Sequence, residues 1–353
     1  MKSKQRLLIY ILLAILLVSA CSKDQAQEPD TEPTDPTTKE PTEEPVEEPV
    51  LYKAPFTGVM SEEESLRRPV AVMINNHPLA RPQSGLSDAD IVYELITEGN
   101  VTRLLALFQS ELPEQIGPVR SARDYFIHIA KGLDAFYVAH GYSPDALDLL
   151  NSGYVDHVNG MRYDGTLFKR SSDRKAPHNS YISNDSIKTA EETTNSSMEI
   201  NKMPSLSFHE SIESAKIGDN ATSIVVQNGK HPDYTSTYSY NEENGTYDRT
   251  VNGIVTIDKT NDEPLALSNV LVFEAEHQTI DNEGRQTIDL ELGGKALLFQ
   301  AGIVKEIEWV NLDGILTPFE NGDPANLVPG KTWIHVIKTN PGIGTNVSYN
   351  LGQ

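Results

Sequence analysis

The first apolar run, Leu7 to Leu17, follows a basic hexapeptide and closes at Val18-Ser19-Ala20-Cys21. It is shorter than the roughly 20 residues a bilayer span needs, and its flanks are those of a signal-peptide core. Residues 1–20 therefore read as a signal peptide. The small residues before Cys21 form a lipobox, with cleavage just ahead of a cysteine that takes lipid. Residues 22–50 hold almost nothing apolar and repeat Glu-Pro, Asp-Pro and Glu-Glu-Pro units. Such a stretch cannot bury enough surface to fold, and proline with like charge keeps it extended. Together, residues 21–50 read as a lipidated cysteine followed by an acidic, proline-rich tether reaching roughly 90 Å.

Beyond the tether the pattern changes to short apolar runs separated by turn residues. Pro69 to Asn75 is a short apolar run with β-branched residues, ended by Asn75-Asn76-His77-Pro78, which predicts a buried strand. Asp90 to Ile96 and Val101 to Gln109 predict two more. A helix is expected from near Ser121 to Lys131, with Phe126, Ile127 and Ala130 facing inward. On this reading Arg120 sits just before the helix or in its first turn, and Arg123 lies inside it. Ala135 to Gly141 predicts another strand. Ser143-Pro144 then opens a helix running to about Asn151, with serine at the cap and proline at the first position.

Residues 183 to 220 are polar, with one helix expected over 186–194. Afterwards strands dominate: Ser223 to Gln227, Ser236 to Tyr240, Tyr247 to Asp258 after the Asn244-Gly245 turn, Val270 to Gln278, Thr287 to Glu291, Ala296 to Gln300, Val304 to Val310 and a last one after Pro329-Gly330. The chain therefore reads as α+β. An α/β-like N-terminal domain over 55–200 packs with a mainly antiparallel β domain over 215–350.

Charge narrows the partners. The chain has 51 acidic and 29 basic residues, a net of -22, and such a surface is repelled by nucleic acid. Cys21 is the only cysteine, so no internal disulfide forms, and once it is lipidated no thiol serves as a nucleophile. No metal spacing and no cofactor motif stands out. Gly330-Lys331-Thr332 lacks the glycine-rich loop of a phosphate-binding motif, and a strand rather than a helix follows it.

Against the acidic background, Arg120, Arg123, Arg170, Arg174 and His178 form a basic set suited to an anion. His140 sits at a strand end, where α/β units carry function. Glu94, Glu98, Asp124 and His140 are candidate acid/base residues for an enzyme, with His178 as a further one. Two readings follow. One is a protein that binds an anionic or glycan envelope ligand or a protein partner. The other is a hydrolase or transferase acting on a cell-wall polymer.

Several segments resemble a known family. Asn75-Asn-His-Pro78, Arg81-Pro-Gln-Ser-Gly-Leu86, Ala89-Asp-Ile-Val-Tyr-Glu94, Gly117-Pro-Val-Arg-Ser-Ala-Arg123 and Ala176-Pro-His-Asn179 are similar to the YerB-like lipoproteins, a family of unknown function (DUF3048) with N-terminal and C-terminal parts. The resemblance covers nearly all of residues 55–345. It implies a lipid-anchored protein on the extracytoplasmic face of a single cell membrane, with acyl chains such as palmitate on Cys21. It carries over no activity and no catalytic residue. One departure is Gly141-Tyr142-Ser143, where a second glycine is expected after Gly141. The tyrosine there narrows the approach to His140.

Overall fold

A computed structural model describes residues 49–351 apart from 205 and 230. The expected signal peptide, Cys21 and the tether up to residue 48 lie outside the described residues. Val70–Asn75 is buried along its whole length and pairs on both sides. Val101–Phe108 lies antiparallel to it, with Val70 opposite Phe108. Phe136–Ala139 lies parallel, with Val72 opposite Val138, and His157–Asn159 extends the sheet in parallel. Ile91–Glu98 turns through Gly99 and Asn100 into Val101–Phe108.

The step from the first half to the second is made by a strand from the far end of the chain. Thr332–Lys338 lies parallel to Ile91–Glu98 on one side, with Thr332 opposite Ile91. On its other side it lies parallel to Asn269–Ala275. From there the sheet runs antiparallel through Gly294–Gln300, Ile303–Leu312 and Ile315–Glu320. The α/β-like first region and the mainly antiparallel second region thus share one sheet.

The central strands Val70–Asn75, Ile91–Glu98, Val101–Phe108, Asn269–Ala275 and Thr332–Lys338 are covered on both faces, which is why they read as near-continuous apolar runs, whereas Ile303–Leu312 alternates and exposes Glu306 and Glu308. Ala71, Met73, Tyr93, Leu95, Phe273 and Ile334 pack on one side with the helices Asp124–Gly132 and Pro144–Asn151. Val70, Val72, Ile74, Val92, Val272 and Trp333 pack on the other. There the cover is the helix Asn184–Thr194 and a second antiparallel layer. That layer comprises Asp219–Gln227, Thr235–Asn241, Thr246–Val251 and Val347–Leu351.

Ser143 caps the Pro144–Asn151 helix through Ala146 N–H, as its sequence predicts. Two local expectations change. The helix after Gly117 starts at Asp124, so Arg123 occupies the cap position and not the interior. Ser121 does not cap it, because it lies two residues before the Arg123 cap; its hydroxyl donates to His140 O at 3.2 Å. The expected strand from Tyr247 to Asp258 is broken at Asn252-Gly253, both at positive φ. That dipeptide makes a tight turn into Ile254–Val255, which folds back on Thr250 and Val251.

Gly132 fastens the helix side of the first region to the second. A Cβ there would stand 1.9 Å from Gly314 O, in the turn between Ile303–Leu312 and Ile315–Glu320. Backbone cannot yield as a side-chain tip would. Gly132→Ala is expected to cost about 1–3 kcal/mol by overpacking, read as a lower urea midpoint at unchanged slope. A cost below a few tenths would mean that the helix end and the turn do not hold this contact.

Candidate functional site

Parallel strands end at the same sheet edge, and here two of them carry chemistry there. Val70–Asn75 runs into Asn76-His77, and Phe136–Ala139 runs into His140. The segment Gly117–Ser121 crosses between the two ends. Asn75 N–H donates to Pro118 O at 2.8 Å, Arg120 N–H to Met73 O at 2.9 Å and His140 N–H to Arg120 O at 2.9 Å. Val119 N–H donates to Ser180 O at 2.6 Å, which brings the His178–Ser180 segment alongside. Backbone bonds therefore bring Asn75, His77, Arg120, His140, His178 and Ser180 to one edge.

His77 and His178 stack with ring centroids 4.5 Å apart. Their tautomers follow from their neighbours. The Asn75 side-chain Oδ1 accepts from the His77 backbone N–H at 3.0 Å, which fixes the amide, and its Nδ2 donates to His178 Nδ1 at 2.9 Å. His77 Nδ1 accepts from Leu79 N–H at 3.1 Å. In the neutral form each ring therefore carries its proton on Nε2. Burial, then Arg81 and Arg120, lowers the His77 pKa. Burial, then His77, Arg120 and Arg174, lowers that of His178.

Arg120 is half-buried, and burial followed by the charge of Arg103 pushes it down to about 10. Among the described residues no carboxylate pairs with it. A half-buried guanidinium beside two outward imidazole N–H groups is a donor array with no acceptor in it.

His140 lies deeper in the same edge. Its Nε2 is 3.1 Å from Arg170 Nη2 and its Nδ1 2.7 Å from Ser180 Oγ. Arginine can only donate, so Nε2 accepts and Nδ1–H donates to Ser180. Burial and Arg170 lower the His140 pKa. Arg170 also pairs with Asp164, Nη2 to Oδ2 at 3.0 Å. Gly160 makes room for this ring, since a Cβ there would lie 2.3 Å from it.

Comparison with known proteins places the chain in a known group. Residues 56–197 match the N-terminal domain of a protein family of unknown function, DUF3048, and residues 224–334 match its C-terminal domain. The chain belongs to the DUF3048 family. YerB of Bacillus subtilis (strain 168) is 46% identical over 288 residues, covering 81% of this chain and 86% of YerB. The crystal structure of YerB matches with a TM-score of 0.78 at 42% identity, over 85% of this chain and 99% of that one.

Within this DUF3048 chain the basic residues named from sequence separate by partner. Arg120 and His178 come to one edge, where the charge of Arg120 helps to lower the His178 pKa, and Arg170 joins them through His140. Arg174 sits near but is spent on the loops, donating to Ala80 O and Pro82 O at 2.7 Å and to Tyr181 OH at 2.9 Å. Arg123 pairs with Glu98, which also takes Arg103 at 3.1 Å. Asp124 heads its helix, and burial raises its pKa. Glu94 has no exposed surface. It accepts from Asn76 Nδ2 at 3.0 Å, Thr102 Oγ1 at 2.9 Å, and Arg249 Nη2 and Trp333 Nε1 at 3.1 Å each. It therefore joins the two DUF3048 segments inside the core.

His77 was visible in the Asn75-Asn-His-Pro78 motif, but nothing local marked it as the stacking partner of His178. Ser180 and Gly160 carried no sequence signal. Among the described residues no group of His, Cys, Asp and Glu is arranged to hold a metal, and no helix is long and apolar enough to cross a membrane.

Proposed function

We propose that this protein is a lipid-anchored binding protein of the cell envelope. It holds an anionic group, on an envelope glycan or a protein partner, between Arg120 and the stacked imidazoles of His77 and His178. The observation that carries this reading is the unpaired, half-buried Arg120 guanidinium beside two imidazoles with Nε2–H free to donate. Placement on the extracytoplasmic face through lipid on Cys21 is supported by the lipobox and by similarity to a protein whose name assigns it to the lipoproteins.

The test is thermal unfolding with inorganic phosphate, sulfate or soluble anionic wall fragments. At a ligand concentration 100 times Kd, binding adds about 2.7 kcal/mol and raises Tm by a few degrees. Arg120→Ala is expected to remove the shift while leaving the unliganded stability equal or slightly higher, because a cation buried without a partner costs folding energy. The reading fails if no anion moves Tm in the unmodified protein, or if Arg120→Ala keeps the full shift.

A hydrolase or transferase acting on a wall polymer is the second reading, and the His140–Ser180 contact favours it. The details run against it. His140 donates to Ser180 and does not accept its proton, Asp164 engages Arg170 and not the imidazole, and Ser180 is 1% exposed. A general base needs a free lone pair facing the nucleophile.

A further inference from the structure

Next to His77 the surface changes from basic to apolar. A pocket of about 260 Å³ is walled mainly by Pro78, Pro82, Val251, Ile254, Val255 and Ile257. Pro78 is the residue after His77, so the two sites share a wall. Ile254 is 73% exposed, Val255 47% and the nearby Leu79 67%. These are large apolar side chains that the fold leaves in water, in a protein whose central strands are covered on both faces. Arg81 marks the boundary. It donates to Asn76 O at 2.7 Å and to Asp233 O at 2.6 Å, and it lines the pocket. The one carboxylate there, Asp233, is engaged by Asn252 Nδ2 at 3.3 Å and lies 3.5 Å from His231. An anion therefore favours the His77 side, and an apolar group the pocket.

We infer that the ligand is a phosphate ester with an apolar substituent, its phosphate held by Arg120, His77 and His178 and its aliphatic portion seated against Val251, Ile254 and Ile257. This rests on the anion-binding reading above and adds the ligand's chemical class. Three donors on separate side chains suit a tetrahedral anion with several oxygens better than a planar carboxylate, which pairs best with one guanidinium fork. The pocket is smaller than the roughly 300–1,000 Å³ that encloses a whole drug-sized ligand, so it takes a short stretch of chain and leaves the rest outside.

The experiment compares ethyl phosphate, octyl phosphate and octanol by calorimetric titration of the protein. Octyl phosphate is expected to bind at least about tenfold tighter than ethyl phosphate, since each buried methylene adds to affinity. Octanol is expected to show no binding. Ile254→Asn combined with Val255→Asn, at positions exposed enough for the fold to accept them, brings octyl phosphate down to the affinity of ethyl phosphate. Equal affinities for the two esters in the unmodified protein would overturn this inference and leave the anion site standing. Binding of neither ester would overturn both readings. Vesicles tell the sources apart. Cosedimentation with phosphatidylcholine vesicles carrying dodecyl phosphate, and not with plain ones, supports a membrane ester. Binding of the soluble esters alone supports a soluble one. Equal cosedimentation with plain vesicles overturns the inference.

Discussion

Glu94→Ala is expected to lower the unfolding free energy by about 3–5 kcal/mol, the usual penalty for stranding one half of a buried ion pair. Burial alone would push the Glu94 carboxyl upward. Arg249, His335, Thr102 and Arg81 together outweigh it and hold the pKa below its ordinary value. With the carboxylate gone, Arg249 stays buried at 2% side-chain exposure. Ser236 Oγ at 3.0 Å, Thr256 Oγ1 at 2.9 Å, the Trp333 ring at 4.3 Å and the Tyr238 hydroxyl are left to face it. Trp333 Nε1 and Asn76 Nδ2 lose an acceptor as well. Because these donors come from both halves of the chain, the loss is one of cohesion between them. Equilibrium urea unfolding measures it. Glu94→Leu with Arg249→Met is expected to recover most of the cost, since apolar replacement of a whole buried pair is often neutral. A cost below about 1 kcal/mol for the single change would remove the network from any role in joining the halves.

Acid is expected to weaken the protein well above the carboxylate range. His335 is fully buried beside Trp333 and Tyr238. Its Nε2 lies 2.6 Å from Tyr238 OH and its Nδ1 3.1 Å from Asn228 Oδ1. Burial outweighs the nearby Glu94 and takes its pKa from 6.5 to about 4. His277, partly buried with Nδ1 2.9 Å from Ala275 O, also falls to about 4. A pKa depressed in the folded state means that the unfolded chain takes up the proton first. The stability due to the neutral rings is therefore whole above pH 6.5 and is lost as pH falls toward 4. Each such histidine accounts for up to about 3 kcal/mol across that window. Glu94, held below its ordinary 4.5, adds its own loss only at lower pH. Between pH 6.5 and 5 the buried histidines lose stability as pH falls, while carboxyls that burial raises, Asp90 and Asp124 among them, act in the opposite sense, so the His335 share is read from the variant rather than from the slope alone. Urea midpoints measured there should fall with pH, and His335→Gln should flatten the slope. An unchanged slope in that variant would mean that His335 is not buried neutral.

Local chemistry made much of the fold readable. The Val70 to Asn75 run, the serine cap on Pro144–Asn151 and the Asn244-Gly245 turn each act through neighbours a few residues away. Asn252-Gly253 carries the same turn signal, but the β-rich sequence around it masked the break. Partner choice was not readable. Arg120 and Arg123 look alike in the chain, yet among the described residues one meets no carboxylate and the other is taken by Glu98. That difference is set by where Ile91–Glu98 ends, not by the arginines. Glu94 did carry a hint, because an acid in the middle of an all-apolar strand must find a buried donor. Its donors Arg249 and Trp333 lie 155 and 239 residues away, and no spacing rule reaches that far.

The strand Thr332–Lys338 sets the timing of assembly. It comes from nearly the end of the chain, yet its neighbours are Ile91–Glu98 and Asn269–Ala275. Until residues 332–338 have emerged, the edge of Ile91–Glu98 that they cover stays bare. A chain stopped short of residue 332 keeps two naked apolar edges, one in each half. Such edges pair readily with any strand they meet, so truncated copies lend strands to one another and clump. The penultimate β-strand thus works as a completion latch, and only a nearly finished chain can close both edges.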